Sequence, residues 1–167
     1  MNVLTARRLP DEAARVADLV PWMQLLATKG DAEATFPSAE LEALRQVGIL
    51  AIPLPREAAY WAGARADLLA RTLAQLGRGN LSVGRLVEAH INARHLIARF
   101  GTRVQRAQAM ADVQAGELFA LWVTDPPDGG LRMTRRGDRI LLEGGKMFCS
   151  GAGFANRSEE RRVGKEC

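Results

Sequence analysis

Four sets of residues in this chain have side chains suited to chemistry, and none is placed to perform it alone. His90 and His95 are five positions apart, which on a helix turns them to different faces, so they do not form a metal pair. His90 falls on an apolar face and is expected to pack beside the core. Cys149 has no base near it in sequence and reads as a strand residue of modest polarity rather than a nucleophile. No periodicity links Glu117 and Asp125 to one pocket, so they are not an acid–base pair. SGAGFAN (Ser150–Asn156) is like the start of a G-x-G-x-x-G dinucleotide loop. However, Asn156 stands in place of the third glycine and no helix follows, so its glycines read as a turn. Residue chemistry by itself therefore names no reaction, no metal site and no catalytic residue.

The elements that would position these residues are helical for two thirds of the chain. Pro10 suits a first helical turn, with Asp11 and Glu12 at the positive end of the dipole, and Val16, Leu19, Val20, Met23 and Leu26 recur at helical spacing. Pro21 inside that pattern should kink or split the helix. Ser38 can cap a second helix, Leu41 and Leu44 face inward, and Gly48 suits a left-handed exit into the extended link ILAIPLP. A third helix is predicted from about residue 58 to 76, with Trp61, Leu68 and Thr72 on one side and Gly77 and Gly79 ending it. Asn80 can cap a fourth, central helix, which carries Leu86, Val87, His90, Ile91 and Ile97 and closes at Gly101. Thr102 and Gln105 have the capping-box pattern for a fifth, which stops near Gly116. Short β segments then follow at Leu118–Thr124, Leu131–Arg135, Arg139–Glu143 and Lys146–Ser150, separated by the turns PPDGG and Arg136-Gly137-Asp138. The predicted class is mainly α: an all-helical N-terminal domain over 1–117, then the first strands of an incomplete antiparallel β domain over 118–156.

Composition narrows the setting. With 167 residues, 47% of them hydrophobic, the chain can bury the core of one domain, or one and a part. The net charge is +4, but the basic residues are interspersed with acids and make no patch or stripe of the kind nucleic acid requires. No apolar run approaches a membrane span, and Cys149 has no internal partner before the C-terminal tail; a reducing cytoplasm is the expected compartment.

That tail, RSEERRVGKEC (Arg157–Cys167), is the translation of a widely used short-read sequencing adapter in one frame. Its four bases and three acids contribute +1 of the net charge. The expectation is that the natural text ends near Asn156, that 157–167 is artefactual, and that the chain is a fragment. Three or four strands without partners point the same way.

Two stretches, ALWVTDP and GGKMFCSGA, resemble the paired flavin-contacting segments of the acyl-CoA dehydrogenase superfamily, typically V-T-E-P-G-A-G-S-D and G-x-K-x-W-I-T-N. FPSAELEALRQVGILAIPLP resembles the family's second-helix stretch. HLIARFGTRVQRAQAMADVQAGELFALWVT resembles the stretch in which a helix ends at F-G-T and G-E leads into the flavin strand. The resemblance spans most of residues 8–156 and implies FAD as cofactor. It places Trp122, Val123 and Thr124 against the isoalloxazine, with the Thr124 hydroxyl able to hydrogen-bond it. Phe148 stands for the usual tryptophan, Cys149 for isoleucine and Ser150 for threonine, which keeps a hydroxyl. Donors aimed from rigid segments at the edge of a flavin that gains electrons would stabilise that charge.

The resemblance further implies α,β-dehydrogenation of an acyl-CoA or related thioester by the intact parent. A glutamate in a C-terminal region outside this chain would be the base, hydride would pass to the flavin, and electrons would leave to an electron-transfer flavoprotein. It also implies a homo-oligomeric parent. The chain alone is expected to be inactive and to bind FAD weakly or not at all. PPDGG stands at the place of G-A-G-S-D and lacks the serine that usually meets the thioester, which admits a flavin-dependent monooxygenase of the same superfamily. The reading from a different class is a non-enzymatic helical interaction module.

Overall fold

The computed structural model describes residues 11–54 and 63–160; Pro10, Trp61 and the expected start of the third helix lie outside them. The described residues divide into two compact units between Gly84 and Arg85.

In the first unit, α1 (Glu12–Glu33) is capped by Asp11, whose carboxylate accepts the Ala14 amide at 2.8 Å. That bond is the main reason the Asp11 carboxyl titrates below its ordinary value. Pro21 does not split α1 as expected. It lies on the exposed side of the helix, where water can take the place of the backbone donor it lacks. Ala13, Val16, Val20 and Met23 form the buried stripe. In α2 (Ser38–Gln46) the cap is Pro37 and not Ser38, and no side chain caps the helix. The Ser38 amide donates to the Phe36 carbonyl at 2.8 Å and is drawn into the first turn, while the Pro37 carbonyl accepts the Leu41 amide. Leu41 and Leu44 are buried, and Gly48 leaves the helix at φ 76° as its position requires. Residues 47–51 make a turn rather than an extended link, and Ile49, Leu50 and Ile52 are buried there. The third helix, α3 (Gly63–Gly79), packs on α1, and Arg65 pairs with Glu12 at 2.8 Å. Asn80 caps α4 (Leu81–Phe100) by accepting the Val83 amide at 3.2 Å, and its own amide donates to the buried Glu40 carboxylate at 3.1 Å.

The second unit begins within α4. Thr102 caps α5 (Arg103–Gln114), and both bonds of the capping box are present, at 2.8 and 3.2 Å. Ala93, Ile97, Ala109, Val113 and Phe119 pack as one core cluster. The molecule is mostly helical in its N-terminal region and then forms a short, incomplete antiparallel sheet. β2 (Arg132–Arg136) and β3 (Arg139–Glu143) make that antiparallel hairpin, closed by Gly137-Asp138 with Gly137 at φ 61°. β1 (Phe119–Trp122) pairs in parallel with β4 (Arg157–Glu160), inside the stretch expected to be tail. Strand pairing uses backbone groups that every non-proline residue carries, so it selects no particular side chains there.

Lys146–Ser150 is not a strand. Phe148 sits at φ 55°, and the Ser150 and Ala152 amides turn back onto the Phe148 and Cys149 carbonyls at 2.9 and 3.0 Å. A left-handed residue in the middle of the segment breaks the alternation a ladder needs.

Candidate functional site

β1 enters its position with both edges held. On one edge the Leu118 amide donates to Asn156 Oδ1 at 3.0 Å and the Asn156 amide donates to the Leu118 carbonyl at 2.9 Å. On the other, the Phe119 amide donates to His90 Nδ1 at 3.0 Å. Phe119 is 1% exposed, because it fills the core between α4 and α5.

Beyond β1, the chain brings together the two segments that carry Trp122, Val123, Thr124, Phe148, Cys149 and Ser150. The Trp122 indole donates to the Ser150 carbonyl at 3.2 Å, and the Met147 amide donates to the Thr124 carbonyl at 2.8 Å. Lys146 Nζ reaches across to the Val123 carbonyl at 3.2 Å and to Asp125 Oδ1 at 2.5 Å, with its side chain only 3% exposed. Its hydrogen bond is the largest cause holding the Asp125 carboxyl below its ordinary range, and the Leu131 amide adds to it. The Asp125 carboxylate is thus committed to an ion pair with Lys146.

The six residues differ in what they offer. Trp122 is half-buried and its indole N–H is spent on Ser150. Val123 and Thr124 are exposed, and Phe148 is 79% exposed. Cys149 is half-buried, and its thiol donates to the Lys146 carbonyl at 3.4 Å. Ser150 is half-buried and begins the turn through Gly151 and Gly153, so SGAGFAN is a turn. Among the described residues, no side-chain hydrogen bond is formed by the hydroxyl of Thr124 or of Ser150. Two free hydroxyls on adjoining segments, with an exposed phenyl ring between them in sequence, are a donor set that suits the polar edge and the face of a flavin.

Sequence reasoning missed three residues that build this arrangement. Lys146 carried a signal: a lone lysine beside two glycines, in a stretch otherwise short of charge, is a candidate for an internal ion pair. In sequence Asn156 shows only as a missing glycine; its side-chain carbonyl and its backbone amide hold Leu118. His90 was placed beside the core correctly, and its ring is 0% exposed, but its bond to Phe119 had no sequence signal. Among the described residues no three His, Cys, Asp or Glu side chains gather as a metal site, and no helix is long and apolar enough to cross a membrane.

Comparison with known proteins gives this geometry a context. Residues 11–117 match the family described as "Acyl-CoA dehydrogenase, N-terminal domain". The 3-sulfinopropanoyl-CoA desulfinase of Cupriavidus necator is 27% identical over 136 residues, 77% of this chain and 34% of that protein. The mitochondrial short-chain specific acyl-CoA dehydrogenase of Bos taurus is 29% identical over 138 residues, 76% of this chain and 32% of that protein. The chain thus spans about a third of the length of the curated relatives it matches. The crystal structure of TdsC from Paenibacillus sp. A11-2 with FMN and indole superposes with a TM-score of 0.71 at 19% identity, covering 88% of this chain and 37% of that one, a likeness of fold alone.

Proposed function

Because the chain belongs to the acyl-CoA dehydrogenase family, we propose that its parent is a flavin-dependent oxidoreductase acting on an acyl-CoA or related thioester, with 122–124 and 148–150 as part of the flavin site. The observation that carries this is the joining of those segments by the Met147–Thr124 and Trp122–Ser150 bonds, with neither hydroxyl hydrogen-bonded among the described residues. Thr124 and Ser150 would hold the polar edge by donating hydrogen bonds, Phe148 would cover a face or edge, and Cys149 would offer its backbone. A flavin held there supplies a two-electron acceptor. Lys146 keeps the segments in register, and its pairing with Asp125 neutralises its charge there.

FAD is the proposed form of the cofactor and α,β-dehydrogenation the proposed reaction, with the base outside this chain. The proposal includes a homo-oligomeric, cytoplasmic parent that passes electrons to an electron-transfer flavoprotein. PPDGG in place of the serine-bearing loop supports a second reading, an oxygenase that borrows reduced flavin. Purified full-length gene product decides between them. Tightly held FAD, bleached by an acyl-CoA without added reductase, supports the dehydrogenase. Turnover that depends on a separate reductase supports the oxygenase, and a product that takes up neither FAD nor FMN defeats both. The adapter origin of 157–167 is part of the same proposal; genomic sequence across the Asn156 codon that encodes RSEERRVGKEC would refute it.

A further inference from the structure

We infer that His90 is a positioning residue: by accepting the Phe119 amide it fixes β1, and through β1 it sets Trp122 and Thr124 against the 146–150 segment. The consequence for flavin rests on the function proposed above; the clamp does not. In a strand, the N–H and C=O of one residue point to one edge and those of the next residue to the other. Leu118 spends both groups on Asn156. The Phe119 amide therefore faces the opposite edge, where β1 has no strand partner among the described residues. At a residue 1% exposed, an amide without an acceptor would be costly. His90 Nδ1 meets that need from α4 at 3.0 Å.

The ring is held as well as bonded. It is 0% exposed and stands edge-on to the Phe119 ring, with centroids 5.5 Å apart and planes at 78°. Receiving an N–H at Nδ1 requires the tautomer that carries its proton on Nε2. A side-chain acceptor thus does for one edge of β1 what a neighbouring strand would do. Three residues along, Trp122 meets the Ser150 carbonyl; five along, the Thr124 carbonyl meets the Met147 amide. Any shift of β1 at Phe119 is carried into both contacts.

The test uses full-length gene product with His90→Leu, which removes the acceptor at similar bulk, and His90→Asn, whose Oδ1 can stand where Nδ1 stood. Hydrogen exchange of the Phe119 and Met147 amides is read relative to the slowest amides of α4, so that a general loss of stability cancels. His90→Leu should speed both amides and weaken flavin binding by about tenfold, and His90→Asn should restore all three to within about threefold of wild type. The inference is overturned if His90→Leu speeds only the Phe119 amide and leaves Met147 and flavin unchanged. It is equally overturned if His90→Asn behaves like His90→Leu, which would make the role one of packing. A wild type that binds no flavin would defeat the function proposed above, and Met147 exchange would then decide the role of His90.

Discussion

The β2–β3 hairpin and the segment 144–156 are consecutive in the chain and are built in opposite ways. The hairpin has a regular backbone, with five residue pairs in register, yet every residue of both strands is exposed. It even sets Arg136 directly across from Arg139, a mildly unfavourable pairing. The segment 144–156 contains no strand and turns through positive φ at Gly144, Phe148, Gly151 and Gly153. Despite that, it is tied to β1 and its continuation by Lys146, Met147, Ser150 and Asn156. A ladder orders a hairpin against itself; a site needs order against its neighbours. Here the irregular backbone supplies that order, and it carries the candidate site.

Substitutions can break or sharpen that contrast. Phe119→Ala, at the buried start of β1, should cost about 3–5 kcal/mol in denaturant unfolding, whereas Leu142→Ala, 56% exposed on the hairpin, should change stability by less than about 0.5 kcal/mol. Comparable losses at the two sites would erase the distinction. Asn156→Leu should cost about 1–3 kcal/mol, because the Leu118 amide loses its acceptor; a neutral result would show that the 150–156 turn is not anchored as described. Phe148→Gly should gain about 1 kcal/mol by relieving a left-handed non-glycine residue, while weakening flavin binding through loss of the ring. A stability loss instead would mean the phenyl ring is packed.

The pH dependence has a definite sign. The folded-state pKa of Asp125 is depressed, chiefly by the Lys146 hydrogen bond. Its contribution is therefore full above the ordinary carboxylate value of about 4 and is lost as pH falls through the lower folded value. The protection of the Met147 amide, measured against its intrinsic exchange rate at each pH, should fall over that acid window, and Asp125→Asn should flatten the change. An unaltered acid profile in the variant would remove Lys146–Asp125 from the anchoring of the segment.

Helices were legible because their signals are local: the Thr102–Gln105 box, the Asn80 cap and the inward faces of α2 and α4 stand as read. Ser38 was misassigned because Pro37, already fixed near helical φ, takes the cap position one residue earlier. The strand read over Lys146–Ser150 fails for a different reason: Phe148 takes a positive φ next to the bonds that tie Lys146 and Met147 to 123–125, and no glycine or asparagine announces it. The candidate site residues were reached by resemblance, since hydroxyls and rings spread over two separated segments leave no spacing rule. His90 holds β1 through a backbone amide, which leaves no pattern in sequence, whereas Lys146, tied to the Val123 carbonyl and the Asp125 carboxylate, shows only as a lone lysine beside two glycines.

A structure of the full-length protein with its flavin tests the central claim most directly, through the distances from Thr124 Oγ1 and Ser150 Oγ to the isoalloxazine. The account predicts both oxygens at hydrogen-bonding distance from one ring system, about 2.7–3.2 Å, with Phe148 against it. A flavin seated elsewhere, or these two hydroxyls turned away from any common cleft, would contradict it.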